Sequence, residues 1–192
     1  MPFCILIPSI VNINTCFSFD TRFNLNELKE KHICKDVKKK FKAIVLRIGK
    51  ATFNIYENGQ VIMAGLRTEE DCISSCQKLG ELLSSDEKIL HPIDFRITNL
   101  VLSGCFGRKI SLENLHKEIR RSSANGGRLS AEYEPELFSG LRCSLKNSKR
   151  RITIFRSGKF FITGVKNEND SNEIFHLSKS FVDFVENIIP IK

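Results

Sequence analysis

Residues 152–164, ITIFRSGKFFITG, indicate a β-hairpin in which two alternating segments flank a turn at Arg156-Ser157-Gly158. Side chains alternate between the two faces of a strand, so one face is expected to carry the apolar set Ile152, Ile154, Phe160 and Ile162. The opposite face carries Thr153, Phe155, Lys159, Phe161 and Thr163. The first face is typical of a core, whereas the second mixes aromatic rings with hydroxyls and a lysine. What covers that second face is the functional question.

The net charge favours an anionic partner. Thirty lysines and arginines against 22 acidic residues give the 192-residue chain a formal charge of +8 and a pI near 9.2. Such a balance is typical of nucleic-acid-binding proteins, although many basic proteins bind none. The apolar fraction of 41% indicates a globular chain that is long enough for one or two small cores.

The sequence carries no signature of catalysis or of a cofactor. The seven cysteines form no CxxC pair, and Cys72 and Cys76, spaced i,i+4 on a predicted helix, are expected in the core rather than on a metal. An odd, scattered set of cysteines favours reduced thiols in a cytosolic or nuclear compartment. Without a glycine-rich nucleotide motif or a nucleophile–base signature, we expect no enzyme, no cofactor and no metal site.

The start of the chain is expected to be an arm, which we place at residues 1–8. Residues 1–11 are apolar but contain Pro2 and Pro8 and lack a basic n-region, which favours an extended segment over a signal peptide. No run approaches the length of 18 apolar residues, so no transmembrane helix is expected.

The remaining chain follows one plan twice: strand, helix, four strands, helix. In the first half we predict strands at 10–19, 41–48, 51–56 and 61–64, helices from Asn24 and after Thr68, and a hairpin turn at Asn58-Gly59. In the second half we predict strands at 95–103 and 138–145 before the hairpin, a helix from Ser111, a loop at 122–127 and a last helix at 174–188.

The repetition can be counted along the sequence. Asn12 recurs as Asn99 at a shift of 87 residues, Phe41 as Phe138 at 97, and Gly59 as Gly158 at 99. The shift grows only where loops are expected, which indicates an internal duplication. Two such copies favour a pseudo-twofold arrangement in which corresponding strands join one sheet and helices cover one side.

Both copies are expected to present a second sheet face of mixed character. In the first copy the predicted core side is Phe53, Ile55, Val61 and Met63, and the other side is Thr52, Asn54, Tyr56, Gln60, Ile62 and Ala64. A second layer, a dimer partner or a nucleic acid could each cover such a face, and the residue pattern leaves these alternatives open.

Three segments resemble the TATA-box-binding protein core and its relatives: YEPELF with GL at 133–141, IFRSGK with TG at 154–164, and DFRITN at 94–99. The resemblance covers roughly residues 9–188. It implies an α+β fold, a pseudo-twofold duplicated saddle with a ten-stranded curved antiparallel sheet and four helices on the convex face. It also places the first repeat at 9–90 and the second at 91–192, intimately joined in one saddle domain.

The resemblance implies that the concave face binds double-stranded DNA in the minor groove, whose floor presents mostly hydrogen-bond acceptors. Aromatic wedges enter base steps and kink the duplex, a strategy for which this family is the type example. By the family's pattern the wedges are Phe41, Tyr56, Phe138 and Phe155, and the central asparagines are Asn12 and Asn99. The groove floor would be Asn14, Ile62, Ala64, Val101, Phe161 and Thr163, and the cations near phosphates Arg47, Arg67, Lys159 and Lys166.

The resemblance also implies partner surfaces. Glu134, Glu136 and Leu137 match the residues with which the family engages general transcription factor IIB. The segment that the family uses for factor IIA reads CKDVK at 34–38, so that contact would be altered or lost.

The implied function is a transcription-initiation factor that binds and bends promoter DNA and recruits factor IIB and RNA polymerase. Its location would be nuclear, or cytoplasmic in a viral relative. The alternative is an interaction module that binds general transcription factors with little or no sequence-specific DNA binding. The polar first-repeat residues Asn14, Asn54 and Gln60 motivate that alternative. Whether the free protein forms a homodimer through this face stays open.

Overall fold

The computed structural model describes residues 6–31, 35–36, 42–85, 88–127, 129–145, 149–165 and 185. Their elements are β1 (Leu6–Ser18), α1 (Leu25–Lys31), β2 (Lys35–Asp36), β3 (Ala43–Ile48), β4 (Ala51–Tyr56), β5 (Gln60–Leu66), α2 (Glu69–Leu83), β6 (Ile93–Cys105), α3 (Leu112–Ala124), β7 (Leu129–Glu132), β8 (Leu141–Leu145), β9 (Arg151–Ile154) and β10 (Lys159–Val165). Hydrogen-bonded neighbours run in the order β2-β3-β4-β5-β1-β6-β10-β9-β8-β7. Contacts divide the chain into a first unit, Val11–Asn99, and a second unit, Leu100–Lys192 with Met1–Ile10.

The predicted duplication is confirmed by the strand register. In the first unit Ile13 of β1 lies opposite Leu66 of β5, and the ladder shifts register immediately after this pair. In the second unit Leu100 of β6 lies opposite Val165 of β10, with a register shift at the same point. These positions differ by the shifts of 87 and 99 counted in the sequence. Even the irregularity of the ladder is therefore repeated.

The turns of the two main hairpins are repeated as well. The N–H of Phe19 donates to the carbonyl of Gly59 at 3.0 Å, and the N–H of Phe106 donates to that of Gly158 at 3.0 Å. Both glycines have positive φ, +87° and +85°, and a Cβ at either position would collide with a backbone carbonyl of the adjoining segment. Glycine is therefore required at both turns by conformation and by space.

The core of each unit is built from the predicted apolar faces. The predicted core residues of the hairpins are all at most 4% exposed: Phe53, Ile55, Val61 and Met63 in the first unit, and Ile152, Ile154, Phe160 and Ile162 in the second. Helix α2 buries Cys72, Cys76 and Leu79, and α3 buries Leu112, Leu115 and Ile119. The expectation that Cys72 and Cys76 belong to the core is confirmed, and the described residues contain no cluster of metal-ligating side chains.

The helix starts predicted at Thr68 and Ser111 are confirmed by capping bonds. The backbone N–H of Asp71 donates to Thr68 Oγ1 at 3.2 Å, and that of Asn114 donates to Ser111 Oγ at 3.4 Å. Such bonds satisfy backbone donors that have no partner within the helix.

Two predicted boundaries in the second unit are wrong. The loop expected at 122–127 starts late, because α3 continues to Ala124 and ends in a turn at Gly126, whose φ is +87°. The strand expected from Phe138 begins only at Leu141. Phe138 instead closes a turn in which its N–H donates to the carbonyl of Glu134 at 2.9 Å, a bond that draws it out of the ladder.

Three of the four expected helices lie in the described part of the chain. The last predicted helix, at 174–188, lies outside the described residues except for Val185, which is fully buried. No helix that the structure describes is both long and apolar enough to cross a membrane.

Thr15 supplies a prediction about the stability of the first unit. This residue is fully buried, and no hydrogen-bond partner within the described residues reaches its Oγ1. A buried hydroxyl without a partner costs about 1–3 kcal/mol, and valine has nearly the same shape. We expect Thr15→Val to raise the free energy of unfolding by about 1 kcal/mol in urea denaturation.

The matched control is Thr153→Val, on the half-buried face of β9. That change is expected to alter stability by no more than about 0.5 kcal/mol. A loss of stability in Thr15→Val would show that its hydroxyl is hydrogen-bonded after all.

Candidate nucleic-acid interface

Each unit has a sheet face opposite its buried core face, which we call the outer face. In the first unit it includes two rows that cross the strands, Val45–Asn54–Ile62–Cys16 and Arg47–Thr52–Ala64. The corresponding rows of the second unit are Arg142–Thr153–Phe161–Ser103 and Ser144–Arg151–Thr163. These side chains are all half-buried or exposed. The outer face of each unit is therefore accessible at the residues that the sequence assigned to it.

Three aromatic rings meet on the outer face of the second unit. The ring centroid of Phe155 lies 6.0 Å from that of Phe138 and 6.0 Å from that of Phe161, with interplanar angles of 66° and 85°. All three side chains are half-buried. We call these residues the aromatic cluster. Edge-to-face contacts of this kind stabilise aromatic pairs beyond their buried area.

Gly140 permits the rings to approach each other. A Cβ at this position would lie 2.7 Å from Phe138 Cε1, 3.0 Å from Thr153 Cγ2 and 3.1 Å from Phe155 Cε1. Any larger residue would force the aromatic cluster apart. The glycine is needed here for space, since its φ is not in the left-handed region.

The segment before Gly140 is a compact turn with exposed side chains. The N–H groups of Leu137 and Phe138 both donate to the carbonyl of Glu134, at 3.0 and 2.9 Å. Leu137 is 81% exposed, and Glu134 and Glu136 are exposed beside it. A shallow cleft of about 80 Å³ adjoins them and is lined by Glu132, Glu134, Leu137, Phe138, Gly140 and Arg142. The turn therefore presents an apolar side chain between carboxylates.

Glu113 connects this turn to helix α3 and to the hairpin. Its carboxylate accepts hydrogen bonds from Arg156 at 2.8 Å, Tyr133 at 3.4 Å and Ser111 at 3.3 Å. The pKa of Glu113 is held below its ordinary value, first by hydrogen bonding from its own backbone N–H and then by the Arg156 guanidinium. The ionised carboxylate thus connects three segments around neutral pH.

A pair of amides occupies the outer face of the first unit. Asn12 Oδ1 accepts from the N–H of Gly65 at 2.7 Å, and its Nδ2 donates to Asn14 Oδ1 at 2.9 Å. Thr98 Oγ1 donates to the backbone carbonyl of Asn14 at 3.1 Å. Both carbonyl oxygens of the pair accept, and nothing within the described residues accepts the remaining amide hydrogens. The pair therefore presents donors, which suit the acceptors of a minor-groove floor.

The predicted contact residues that the structure describes are accessible to solvent, at least in part. Arg47, Arg67, Lys159 and Ile62 are exposed, and Asn12, Tyr56, Asn99, Val101 and Thr163 are half-buried. Phe41 and Lys166, and the factor IIA segment except for Lys35 and Asp36, lie outside the described residues. The second unit brings Phe138, Phe155 and Phe161 together as expected for one surface.

Arg142 is a candidate residue that the sequence reasoning missed. Its guanidinium carbon lies 4.4 Å from the centroid of the Phe138 ring, a cation–π geometry. Leu141 and Cys143 on either side of it are fully buried, so Arg142 is on the outer face. Strand alternation about the apolar positions Leu141 and Cys143 would have found it.

The cysteines separate into core and outer-face groups. Burial raises the pKa of Cys72 to about 11, that of Cys76 to about 12 and that of Cys143 to about 12. Cys16 and Cys105 are half-buried, on strands β1 and β6.

The sequence model of the family described as "Transcription factor TFIID (or TATA-binding protein, TBP)" matches residues 7–85 and again residues 94–182. The two matches correspond to the two copies of the repeated plan. The chain belongs to the TATA-binding protein family. Because the family consists of transcription factors, the expectation that the chain is not an enzyme is confirmed.

Individual members of the TATA-binding protein family are similar over most of the chain. The TATA-box-binding protein of Tetrahymena thermophila is 28% identical over 176 residues, which are 88% of this chain and 67% of that protein. TATA-box-binding protein 1 of Triticum aestivum is 29% identical over 192 residues, 97% of this chain and 73% of that protein.

A solved structure, Methanococcus jannaschii TBP, superposes with a TM-score of 0.69 at 24% identity and covers 94% of this chain and 98% of its own. This likeness shows the fold. The predicted duplicated α+β fold of the TATA-binding protein family is therefore confirmed.

Cysteine reactivity tests the assignment of side chains to the two faces. The thiolate is the reactive form, and a pKa of about 11–12 leaves about 0.1% thiolate or less near pH 8. We expect iodoacetamide to modify Cys16 and Cys105 at least about tenfold faster than Cys72, Cys76 and Cys143 in the folded protein. Peptide mapping by mass spectrometry measures each rate separately.

Denatured protein is the control, because all five thiols should then react at similar rates. Rapid labelling of Cys143 in the folded protein would contradict the orientation of β8.

The raised pKa values of Cys72, Cys76 and Cys143 also imply that these thiols stabilise the folded state below pH 9. This contribution to the free energy of unfolding is lost as the pH rises from 9 towards 12.

Proposed function

We propose that this member of the TATA-binding protein family is a nuclear transcription-initiation factor that binds promoter DNA in the minor groove and bends it. The aromatic cluster is the observation that carries the proposal. Three half-exposed rings on an otherwise polar sheet face are costly to leave in water, and base steps accept such rings when the duplex is kinked. The net charge of +8 favours a polyanionic partner.

The proposed DNA contacts separate into three roles. Wedges are Phe138 and Phe155 in the second unit and Tyr56, with Phe41 outside the described residues, in the first. Groove-floor contacts are Asn12, Asn14, Ile62 and Ala64, with Asn99, Val101, Phe161 and Thr163 as their second-repeat counterparts. Phosphate contacts are Arg47, Arg67, Lys159 and Lys166, which position the protein without reading the sequence. The repeats that supply them are proposed at residues 9–90 and 91–192, after an arm at 1–8.

The turn before Gly140 is the proposed site for general transcription factor IIB. Leu137 is 81% exposed and has the exposed carboxylates of Glu134 and Glu136 beside it. An apolar anchor framed by charges is typical of a protein-binding surface. Through factor IIB the protein would recruit RNA polymerase.

A second function is supported by the first unit. Its outer face carries Asn14, Asn54 and Gln60 among the apolar residues, and Tyr56 presents a phenol that is more costly to desolvate than a phenyl ring. A protein with this surface could bind general transcription factors while binding DNA only weakly and without sequence preference.

The wedges are tested by the double variant Phe138→Ala/Phe155→Ala. Stacking on an aromatic ring contributes about 1–3 kcal/mol per base, so we expect affinity for a promoter-length duplex to fall by at least roughly 30-fold. Bending, measured as energy transfer between dyes at the duplex ends, should be lost.

Ile73→Ala is the control, since Ile73 is 42% exposed on helix α2 and is not among the proposed DNA contacts. This variant should bind and bend as the parent protein does, and urea denaturation should show that all variants are folded. Unchanged affinity and bending in the double variant would refute the wedge assignment.

A duplex titration distinguishes the two functions. The initiation factor is expected to bind a TATA-containing duplex at least about tenfold more tightly than a scrambled duplex of the same composition at physiological salt. The interaction module would bind both duplexes equally and weakly, with strong salt dependence. In either case factor IIB should bind, and Glu134→Gln/Glu136→Gln should weaken that binding without changing the DNA titration.

A further inference from the structure

The two units carry their outer-face arginines at different places on equivalent strands. Strand β3 presents Val45 and Arg47, and the equivalent positions of β8, 97 residues later, are Arg142 and Ser144. Arg47 and Arg142 are both exposed. When equivalent positions of the two strands are compared, the arginine of β8 lies two residues before the position that corresponds to Arg47, a difference of about 6.8 Å along the strand. It remains on the same face because side chains alternate with a period of two.

This displacement puts Arg142 against the aromatic cluster. Its guanidinium carbon lies 4.4 Å from the centroid of the Phe138 ring, which in turn lies 6.0 Å from that of Phe155. Guanidinium groups stack on ring faces while their N–H donors stay available at the edge of the plane. The contact therefore holds the charge beside Phe138 in the free protein and reduces the entropy lost when it meets a ligand.

Arg142 has no ion-pair partner among the described residues. Glu132 lies opposite it in the β7–β8 pair and lines the same cleft, but no described carboxylate oxygen lies within the 4.0 Å of an ion pair with its guanidinium. Arg142 is exposed, is held in position by the Phe138 ring and has no ion-pair partner among the described residues. It is therefore suited to bind an anion next to the base step that Phe138 would enter. Phosphate is the anion that flanks every base step of DNA.

We propose that Arg142 contacts a DNA phosphate next to the base step that Phe138 enters. This inference rests on the proposed function, because it requires that the outer face of the second unit meets DNA. The cation stacked on the wedge would neutralise a backbone charge beside the kinked base step. Arg142 is then a contact residue of the bent complex, in addition to the phosphate contacts already proposed.

The salt dependence of DNA binding tests the inference. Each phosphate contact contributes about 0.9 to the slope of log K against log salt concentration. We expect Arg142→Ala to reduce the magnitude of that slope by about 0.9 and to reduce bending by energy transfer, while Arg142→Lys retains the slope because it retains the charge. Arg120→Ala, which removes an exposed arginine of helix α3, should behave as the parent protein does.

The outcomes separate the inference from the function beneath it. If the parent protein binds and bends the duplex but Arg142→Ala keeps the full slope, Arg142 only supports the ring and the inference is wrong. An unchanged affinity in that variant would also overturn it. If the parent protein neither binds nor bends the duplex, the proposed function fails and the inference fails with it. Urea denaturation of each variant excludes loss of the fold as the cause.

Discussion

The register of two antiparallel strand pairs, β1 with β5 and β6 with β10, is the constraint on which the rest depends. A slip by one residue would exchange the two faces and put Asn12 and Thr163 in the core and Ile13 and Ile162 in solvent. The pairing is specified because one face of each strand is fully buried. The side chains of the outer face can therefore be substituted in either unit without a change of fold.

The fold could be predicted largely because the duplication and the strand alternation are both visible in the sequence. The shifts of 87 and 99 residues predicted which positions of the two repeats correspond. The pairing of β6 with β10 matches the pairing of β1 with β5 at those shifts. Phe138 was misplaced because a hydrogen bond within the turn, from its N–H to Glu134, overrides the apolar pattern that suggested a strand. The end of α3 was misplaced because serines typical of loops are tolerated in its last turn.

The candidate site could be predicted only in part. Alternation and the family resemblance were sufficient to place Phe155 and Phe161 on one face. They did not indicate that Arg142 stacks on Phe138, or that the amides of Asn12 and Asn14 bond to each other, because such contacts depend on side-chain conformations. The space that Gly140 leaves for the rings is likewise a property of packing rather than of pattern.

The amide pair Asn12 and Asn14 of the first repeat has no equivalent in the second repeat, where Val101, two residues after Asn99, replaces the second asparagine. A minor groove offers nearly the same acceptors when a duplex is turned end for end. Two identical surfaces would bind it equally in both directions. If the outer faces bind DNA as proposed, the free amide hydrogens of Asn12 and Asn14 in one repeat and the isopropyl group of Val101 in the other would distinguish the two directions of the duplex.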